Sequence, residues 1–262
     1  DLVPYLHDNT LGEDTFYANS QEARLKAVRA AIESPDSKAL WCIQGGYGAT
    51  HVLGALPPLH PPFPKIVMGF SDCTSLLWYA HKHWSWTAIH GPTLNKLVFD
   101  ANDSHTLKTV QELLFGHTST IEYGVLTPLN QAAIDSPCVT GKALGGNMSL
   151  VQRSINTSWW VDLEESILFL EDIHENPFRI LERLQHFKNA GLLGSIKAIV
   201  FFDFTVEEAE EELLTQALER IGQETSVPVF KGQGIGHGVR NLPVVLGQSF
   251  CIKDGHLYQH LS

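Results

Sequence analysis

The sequence has few cysteines, a shortage of positive charge and no long hydrophobic run. Its 262 residues include 4 cysteines, and 18 Lys and Arg stand against 29 Asp and Glu, a formal net charge of −11. Such scattered cysteines do not make the dense framework of a small disulfide-stabilised domain. An acidic surface repels phosphate backbones, so neither nucleic acid nor an anionic membrane is an expected partner. No apolar stretch approaches the roughly 18 residues that a membrane-spanning helix requires.

The start of the sequence also lacks the basic and apolar pattern of a secretory signal. Together with the cysteine usage, this predicts a reducing, cytoplasmic compartment. Hydrophobic residues make up 44% of the chain and charged residues 18%. That composition is enough for one large core or two smaller ones.

Helix and strand patterns alternate along the chain, which predicts an α/β fold with a largely parallel sheet. Apolar runs predict buried strands at residues 38–43, 65–70, 166–171, 196–202 and 227–230. Helical periodicity predicts helices at residues 19–34, 104–116, 176–191 and 205–222. Asp254-Gly255 predicts the turn of a closing hairpin. Residues 117–141 show little helical period, so we place a boundary there between an amino-terminal α/β domain (1–118) and a carboxy-terminal domain (119–262).

Three of the predicted helices carry capping signals. Asn19 with Glu22, and Thr205 with Glu208, have the spacing of a capping box. Ser104 is the predicted cap of the helix that Gly116 closes.

Ser71 follows an apolar run that ends at Gly69, and a helical pattern begins immediately after it. A strand–turn–helix corner of this kind exposes a nucleophilic serine in many hydrolases. Cys73 stands where the common form of that motif has its second glycine. The alternative is that Ser71 only caps the following helix.

A base and an acid for such a serine are also present in the sequence. His237 lies among four glycines in KGQGIGHGVRN, a composition that indicates an exposed and positioned loop residue rather than a packed one. Glu171 and Asp172 end the apolar run SILFLED, where ligands gather in open α/β sheets. An exposed acid beginning a loop is the alternative for either carboxylate. With Glu171 as the acid, the order Ser71, Glu171, His237 is that of α/β-hydrolases.

Two glycine-rich stretches complete the candidate site. In CIQGGYGATHVL, Gly45 and Gly46 follow a predicted strand, and paired glycines let backbone N–H groups approach an anion or oxyanion. The stretch lacks the Gly-Lys-Ser/Thr ending of a phosphate loop and the glycine spacing of a dinucleotide site. In LGGNMSL, Asn147 is either a side-chain donor or a helix cap. The histidines show no metal-ligand spacing, so neither a metal nor a cofactor is expected.

Taken together, these segments resemble the LD-carboxypeptidase family of serine peptidases, which includes muramoyltetrapeptide carboxypeptidases and microcin C self-immunity proteins. The matching segments run in family order from about residue 19 to residue 243: ALWCIQGGYGA, VMGFSDCTSLLWY, IHGPT, ALGGNMSLV, SILFLEDIHENPFRILERLQHFKNAG and GIGHG. The resemblance implies an amino-terminal α/β domain, a carboxy-terminal domain with a barrel-like sheet, and a homodimer.

The resemblance also implies roles for individual residues. Ser71 is the expected nucleophile, Glu171 the orienting acid and His237 the general base. The backbone N–H groups of Asp72 and Gly46 are the expected oxyanion hole.

Substrate contacts are expected from Gly45, Tyr47 and Asn147. The implied activity is hydrolysis of the bond between the L-centre of a diamino acid and a terminal D-alanine in murein tetrapeptides. Family members commonly carry arginine where this chain has Gln44.

Two other functions remain open from the sequence. An immunity-type peptidase would cleave an aminoacyl-nucleotide amide and would need an aromatic wall, for which Trp159 and Trp160 are candidates unless they only pack the loop. A non-catalytic binder of murein fragments is the third possibility.

Overall fold

The computed structural model describes residues 3–8, 10–56, 61, 63–99 and 103–262. The helices are α1 (Gln21–Glu33), α2 (Ala49–Ala55), α3 (Thr74–Tyr79), α4 (Leu94–Phe99), α5 (Ser104–Leu114), α6 (Gln131–Ile134), α7 (Met148–Ser154), α8 (Pro177–Asn189) and α9 (Glu211–Gln223). The strands are β1 (Ala39–Trp41), β2 (Ile66–Gly69), β3 (Thr87–His90), β4 (Thr120–Val125), β5 (Thr127–Pro128), β6 (Cys138–Asn147), β7 (Ser166–Ile173), β8 (Ala198–Thr205), β9 (Val229–Gly236), β10 (Val244–Val245), β11 (Ser249–Lys253) and β12 (His256–His260). No helix within the described residues is long and apolar enough to cross a membrane.

The first sheet has the strand order β1-β2-β3-β10. Strands β1, β2 and β3 are parallel, as predicted, and β10 pairs with β3 in the antiparallel sense. Because β10 comes from the far end of the chain, the first sheet is completed by residues of the carboxy-terminal half. Because β2 and β3 are parallel, their carboxyl ends lie at the same edge of the sheet, where Ser71 and Gly91 follow them.

The second sheet has the order β4-β12-β11-β6-β7-β8-β9-β5. Its outermost strands, β4 and β5, are consecutive in the chain and only Leu126 separates them. A chain that leaves one edge and pairs at the opposite edge one residue later requires the sheet to curl round on itself. The second sheet is therefore barrel-like, as predicted, with a parallel centre, β6 to β9.

Burial explains why the central strands are apolar along their whole length. In β7 every residue from Ser166 to Asp172 is buried, and the aromatic rings of Phe169, Phe201 and Phe250 are fully inaccessible. A strand covered on both faces needs a continuous apolar run rather than alternation. Glu171 and Asp172 end that run, and both are held in the interior.

The predicted hairpin turn is confirmed, but three predicted caps are wrong. Asp254 and Gly255 have φ of 51° and 76°, which the predicted tight turn requires. Pro177 lies in the first turn of α8, after the cap Asn176.

The cap of α1 is Ser20 rather than Asn19, and the cap of α5 is Asp103 rather than Ser104. Thr205 caps no helix because it ends β8, paired opposite Ile173, and α9 begins six residues later than predicted. At α1 and α5 an adjacent residue of a capping type is the cap instead, and at Thr205 strand pairing replaces the predicted helix start.

Candidate active site

Ser71 lies on a sharp corner between β2 and α3. Its φ is +60°, the left-handed region that non-glycine residues rarely adopt, and a 3₁₀ turn at Ser71–Cys73 leads into α3. Gly69 is needed beneath it, since a Cβ there would stand 2.9 Å from the Cβ of Cys73 and 3.0 Å from that of Cys42. Among the described residues, no side chain caps the 3₁₀ turn or α3. Strain without a capping bond is evidence against the capping alternative for Ser71.

The glycine loop after β1 presses against this serine. A Cβ at Gly45 would lie 3.0 Å from the Cβ and 3.2 Å from the Oγ of Ser71. Gly46 has φ of +109°, and a Cβ there would meet no atom of the described part of the chain within 4 Å. Within the described residues the N–H groups of Gly45 and Gly46 donate no hydrogen bond, so they are available to a ligand beside Ser71.

Asp72 and Gln44 tie this loop to its surroundings. The carboxylate of Asp72, which is buried, accepts a hydrogen bond from the Ala49 N–H at 2.8 Å, at the start of α2. Burial raises the pKa of Asp72, and the bond from Ala49 opposes that rise. Gln44 Oε1 accepts from Asn95 Nδ2 at 3.0 Å. The glycine loop is thus held from the serine corner on one side and from α4 on the other.

His237 and Glu171 meet at the ends of β9 and β7. Nδ1 of His237 donates to Oε2 of Glu171 at 2.6 Å, and the Glu171 side chain is fully buried. Burial raises the pKa of Glu171, while the bond from His237 opposes that rise. The preceding residue must be glycine, because a Cβ at Gly236, whose φ is +116°, would lie 2.6 Å from Glu171 Oε2. A short hydrogen bond to a buried carboxylate fixes the orientation of the imidazole ring and leaves its other nitrogen, Nε2, for a second partner.

Phe70 brings the two halves of the candidate site together. Its ring centroid lies 4.7 Å from that of His237 and 6.2 Å from that of His90. Because Phe70 immediately precedes Ser71, the serine corner and the imidazole are neighbours across the two sheets.

Asp172 points away from His237. Its carboxylate accepts hydrogen bonds from Asn147 Nδ2 (2.8 Å), Ser149 N (3.0 Å) and Ser149 Oγ (2.7 Å) at the start of α7. Glu171 and Asp172 are 0% and 4% exposed, so the alternative of an exposed acid beginning a loop is wrong for both. Register shifts between β7 and β8 at this point, and alternation of side chains sends the two acids to opposite faces.

Asn147 is a buried helix cap in this structure. It is 3% exposed, its Oδ1 accepts from the Leu150 N–H at 3.3 Å, and its Nδ2 is the donor to Asp172. Its predicted contact with substrate stays a prediction.

The aromatic candidates divide into packed and exposed groups. Trp159 is buried, and the ring of Trp160 lies 5.5 Å from that of Trp78, so this pair packs the interior. Tyr47 is 57% exposed and stacks on Tyr17 with centroids 5.6 Å apart and planes 9° apart. The exposed aromatic ring is therefore that of Tyr47, which comes directly after Gly45 and Gly46 in the sequence.

Sequence reasoning missed His90, which lies behind the site. The side chain is fully buried and neither ring nitrogen has a hydrogen-bond partner within the described residues. Burial, and next the charge of His237, lower its pKa to about 3. Its place at the carboxyl end of β3 was the available signal, because functional side chains collect at such ends. The described residues contain no cluster of three potential metal ligands.

Comparison with known proteins identifies the family. The model of the LD-carboxypeptidase N-terminal domain matches residues 1–91, and that of the C-terminal domain matches residues 140–252. A putative carboxypeptidase of Rickettsia conorii is 35% identical over 235 residues, covering 89% of this chain and 74% of that protein. The chain belongs to the LD-carboxypeptidase family. The resemblance inferred from the motifs is thereby confirmed.

Other relatives and structures agree with this membership. The murein tetrapeptide carboxypeptidase of Pseudomonas aeruginosa is 28% identical over 257 residues, covering 92% of this chain and 81% of that protein. The crystal structure of muramoyltetrapeptide carboxypeptidase from Oxalobacter formigenes superposes with a TM-score of 0.80 at 24% identity, covering 94% of this chain and 86% of that one. MccF in complex with glutamyl sulfamoyl guanosine gives 0.81 at 17% identity, covering 97% and 86%. These two structures establish the common fold.

Proposed function

We propose that this LD-carboxypeptidase family member is a serine-type enzyme that releases the terminal D-alanine from murein tetrapeptides. The observation that carries the proposal is the 2.6 Å bond between His237 and buried Glu171, beside a serine at φ +60°. The name of the Pseudomonas aeruginosa relative supports the choice of substrate.

In the proposed reaction, the Ser71 hydroxyl attacks the carbonyl carbon of the last peptide bond while His237 Nε2 takes its proton. The N–H groups of Asp72 and Gly46 stabilise the oxyanion that forms. His237 then returns the proton to the departing D-alanine amine. Water, deprotonated by the same imidazole, hydrolyses the acyl-enzyme and regenerates Ser71.

Glu171 holds the imidazole in one tautomer throughout these steps. Its bond to Nδ1 leaves Nε2 unprotonated and able to take the serine proton, and its negative charge stabilises the imidazolium that forms. No metal or cofactor takes part in the proposed chemistry.

The proposed enzyme acts in the cytoplasm as a homodimer with domains at 1–118 and 119–262. Light scattering after size-exclusion chromatography measures the dimer directly. A single monomeric species at micromolar concentration would contradict it.

The test of the main proposal is D-alanine release by wild type and by Ser71→Ala. Losing a triad serine lowers kcat by roughly 10⁶ in a well-studied serine protease, and we expect a comparable loss with the fold retained. Ser20→Ala, which removes the cap of α1, is the control and should cost about 1 kcal/mol of stability with turnover intact. Near-normal turnover of Ser71→Ala would show that Ser71 is not the nucleophile.

A second candidate is cleavage of an aminoacyl-nucleotide amide, the class of compound bound to MccF. The exposed ring of Tyr47, stacked on Tyr17, favours it, because a nucleobase stacks on such a surface. Product analysis separates the candidates. D-Alanine release supports the main proposal, cleavage of an aminoacyl sulfamoyl adenosine alone supports the second, and binding of the tetrapeptide without turnover indicates a non-catalytic protein.

A further inference from the structure

His237 has a second carboxylate neighbour besides Glu171. Asp203 lies near the end of β8, where it is paired opposite Gly236, the residue before His237. Glu171 reaches the imidazole from β7, the strand next to β8 in the sheet. Two adjacent strands therefore each bring a carboxylate to the chain that carries the base, and the mechanism described above uses only one of them.

The Asp203 carboxylate contacts the chain on both sides of His237. The N–H of Gly234, whose φ is +90°, donates to both of its oxygens, at 3.1 and 3.3 Å. On the other side, a Cβ at Gly238 would stand 2.6 Å from Asp203 Oδ2, so a larger residue there would push against the carboxylate. The segment 234–238, which includes His237, is therefore in contact with Asp203 at both of its ends.

The charge of Asp203 also acts on the imidazole. Burial raises the pKa of Asp203, while the bond from Gly234 and the charges of Lys96 and His237 oppose that rise. An interaction between two charged groups is reciprocal. A negative Asp203 therefore favours the protonated form of His237 by the same free energy by which a positive His237 favours the ionised form of Asp203.

The other charged or titratable groups near segment 234–238 come from β3, β7, α4 and the following loop, and they are His90, Glu171, Lys96 and Arg240. Burial lowers the pKa of His90 to about 3, so its ring is uncharged at neutral pH. Arg240 Nε lies 3.7 Å from the carboxylate of Asp103.

Lys96 adds to the effect expected from Asp203. Its Nζ donates to the carbonyl oxygen of Gly238 at 2.9 Å, which places a positive charge beside the residue that follows His237. A positive charge disfavours an imidazolium nearby. Without the negative charge of Asp203, that of Lys96 would act on His237 in the same unfavourable direction.

We infer that Asp203 is a positioning residue for the base: its carboxylate holds segment 234–238, and its negative charge stabilises the imidazolium that forms when Ser71 gives up its proton. The inference rests on the proposed function and adds to it a residue that acts through His237. Glu171 fixes the ring by a hydrogen bond, and Asp203 supports the backbone around it.

The experiment measures how kcat/KM for D-alanine release depends on pH. In the proposed mechanism this parameter falls below the pH at which the imidazole of the free enzyme takes up a proton. Asp203→Asn keeps an oxygen acceptor for the Gly234 N–H but removes the charge, so protonation should require a lower pH. Because Asp203 is half-buried, we expect the midpoint of this acidic limb to move down by about 0.5 to 1 pH unit.

Three further variants separate charge from shape. Asp203→Ser, a smaller neutral residue, should move the midpoint in the same direction. Asp203→Glu keeps the charge but crowds Gly238, so it should lower kcat while the midpoint stays near that of wild type. Asp36→Asn is the control for loss of one negative charge: Asp36 is exposed and precedes β1, at the opposite edge of the first sheet from Ser71. It should change neither kcat nor the midpoint.

A second measurement does not depend on turnover. NMR titration of the His237 imidazole in the Ser71→Ala background, with its signal identified by its loss in His237→Gln, gives the protonation midpoint directly. Adding Asp203→Asn to Ser71→Ala should lower that midpoint by the same amount as in the kinetic profile.

The outcomes separate the inference from the proposed function. A fall in kcat for the neutral variants with both midpoints unchanged would show that Asp203 only shapes the backbone, and would overturn the inference while D-alanine release by wild type stands. If wild type releases no D-alanine, the proposed function fails. The NMR midpoint then still decides whether the charge of Asp203 acts on His237.

Discussion

Ser71 and His237 both follow the carboxyl end of a strand, but the two sheets hold them in different ways. At the end of β2 the backbone does the positioning: Ser71 is at φ +60°, with Gly45 packed against its side chain. At the ends of β7 and β9 side chains do it: His237 is bonded to Glu171, which is fully buried. The first half depends on backbone strain and close approach, and the second on burial and a charge-assisted bond.

This difference has consequences for what each half tolerates. Where the backbone positions the side chain, as at Ser71, adding an atom nearby should displace it. Where a charged side chain does so, as Glu171 does for His237, removing the charge without changing the shape should misplace it. The following predictions test both halves, and each has a control at another residue.

Removing the charge in the second half should have the largest effect. Glu171→Gln keeps the shape but allows the amide to select the wrong imidazole tautomer, and the corresponding change of Asp to Asn in a serine protease lowers kcat by about 10⁴. Asp172→Asn, at the adjacent residue, should lower kcat far less, because Asp172 bonds to Asn147 and Ser149 on the other face. Its cost should be in stability, about 2 kcal/mol.

Steady-state D-alanine release and urea unfolding of both variants decide this pair. Equal losses of kcat, or a larger loss for Asp172→Asn, would show that the assignment of Glu171 as the orienting acid is wrong.

Adding one atom to the first half should have the next largest effect. Gly45→Ala places a Cβ 3.0 Å from the Cβ of Ser71, so the serine or the loop must shift. Displacements on the order of 1 Å cost about 10² in rate, and we expect a loss of that size in kcat. Gly54→Ala in α2, where a Cβ meets no atom of the described residues within 4 Å, is the control and should leave kcat unchanged. Full activity of Gly45→Ala would mean that the glycine loop is free to move away from Ser71.

The low pKa of His90, which lies between the two halves of the candidate site, predicts that the stability of the protein depends on pH. Its pKa is about 3 when folded, against about 6.5 for a free histidine, so between these values only the unfolded chain binds the proton. Stability is therefore lost as pH falls from 6.5 towards 3, by about 2–3 kcal/mol at pH 4.5. His90→Leu should remove that part of the loss, because it removes the titrating group.

Urea unfolding at pH 7 and pH 4.5 measures the effect as the difference between the two pH values. His117→Leu, at an exposed histidine, is the control and should keep the wild-type difference. If His90→Leu also keeps it, His90 titrates normally in the folded protein.

The fold was predictable from the sequence where a local pattern and the tertiary structure agree. The run SILFLED predicts a buried strand and β7 is one, and Asp254-Gly255 turns the predicted hairpin. Strand β10 has only two residues, and its partner β3 lies about 150 residues earlier, so no local pattern contains that pairing. Strands β4 and β5 were not predicted for a similar reason, since curling of the second sheet and not their sequence determines their partners.

The candidate site was predictable to the extent that glycines and strand ends reveal it. Gly236 and Gly45 are glycines because Glu171 and Ser71 occupy the space of a Cβ, and such glycines are visible in the sequence. The burial of His90 and the approach of Lys96 to Gly238 depend on packing between distant segments, which no spacing encodes. The catalytic roles themselves remain predictions that the variants above test.

The smallest predicted effect concerns the strain at Ser71. A left-handed φ costs a residue with a Cβ about 1–2 kcal/mol, whereas glycine adopts it freely. Ser71→Gly should therefore be more stable than Ser71→Ala by about 1 kcal/mol, although both lack the hydroxyl and both should be inactive. Urea unfolding at neutral pH measures the difference between these two variants.

Thr215, an exposed residue within α9, supplies the matched control with the opposite sign. In a helix interior glycine is about 1 kcal/mol less favourable than alanine, so Thr215→Gly should be the less stable member of its pair. If alanine is also the better residue at position 71, the corner is not strained in solution. The serine would then be held by side-chain contacts, as His237 is, and the contrast between the two halves would disappear.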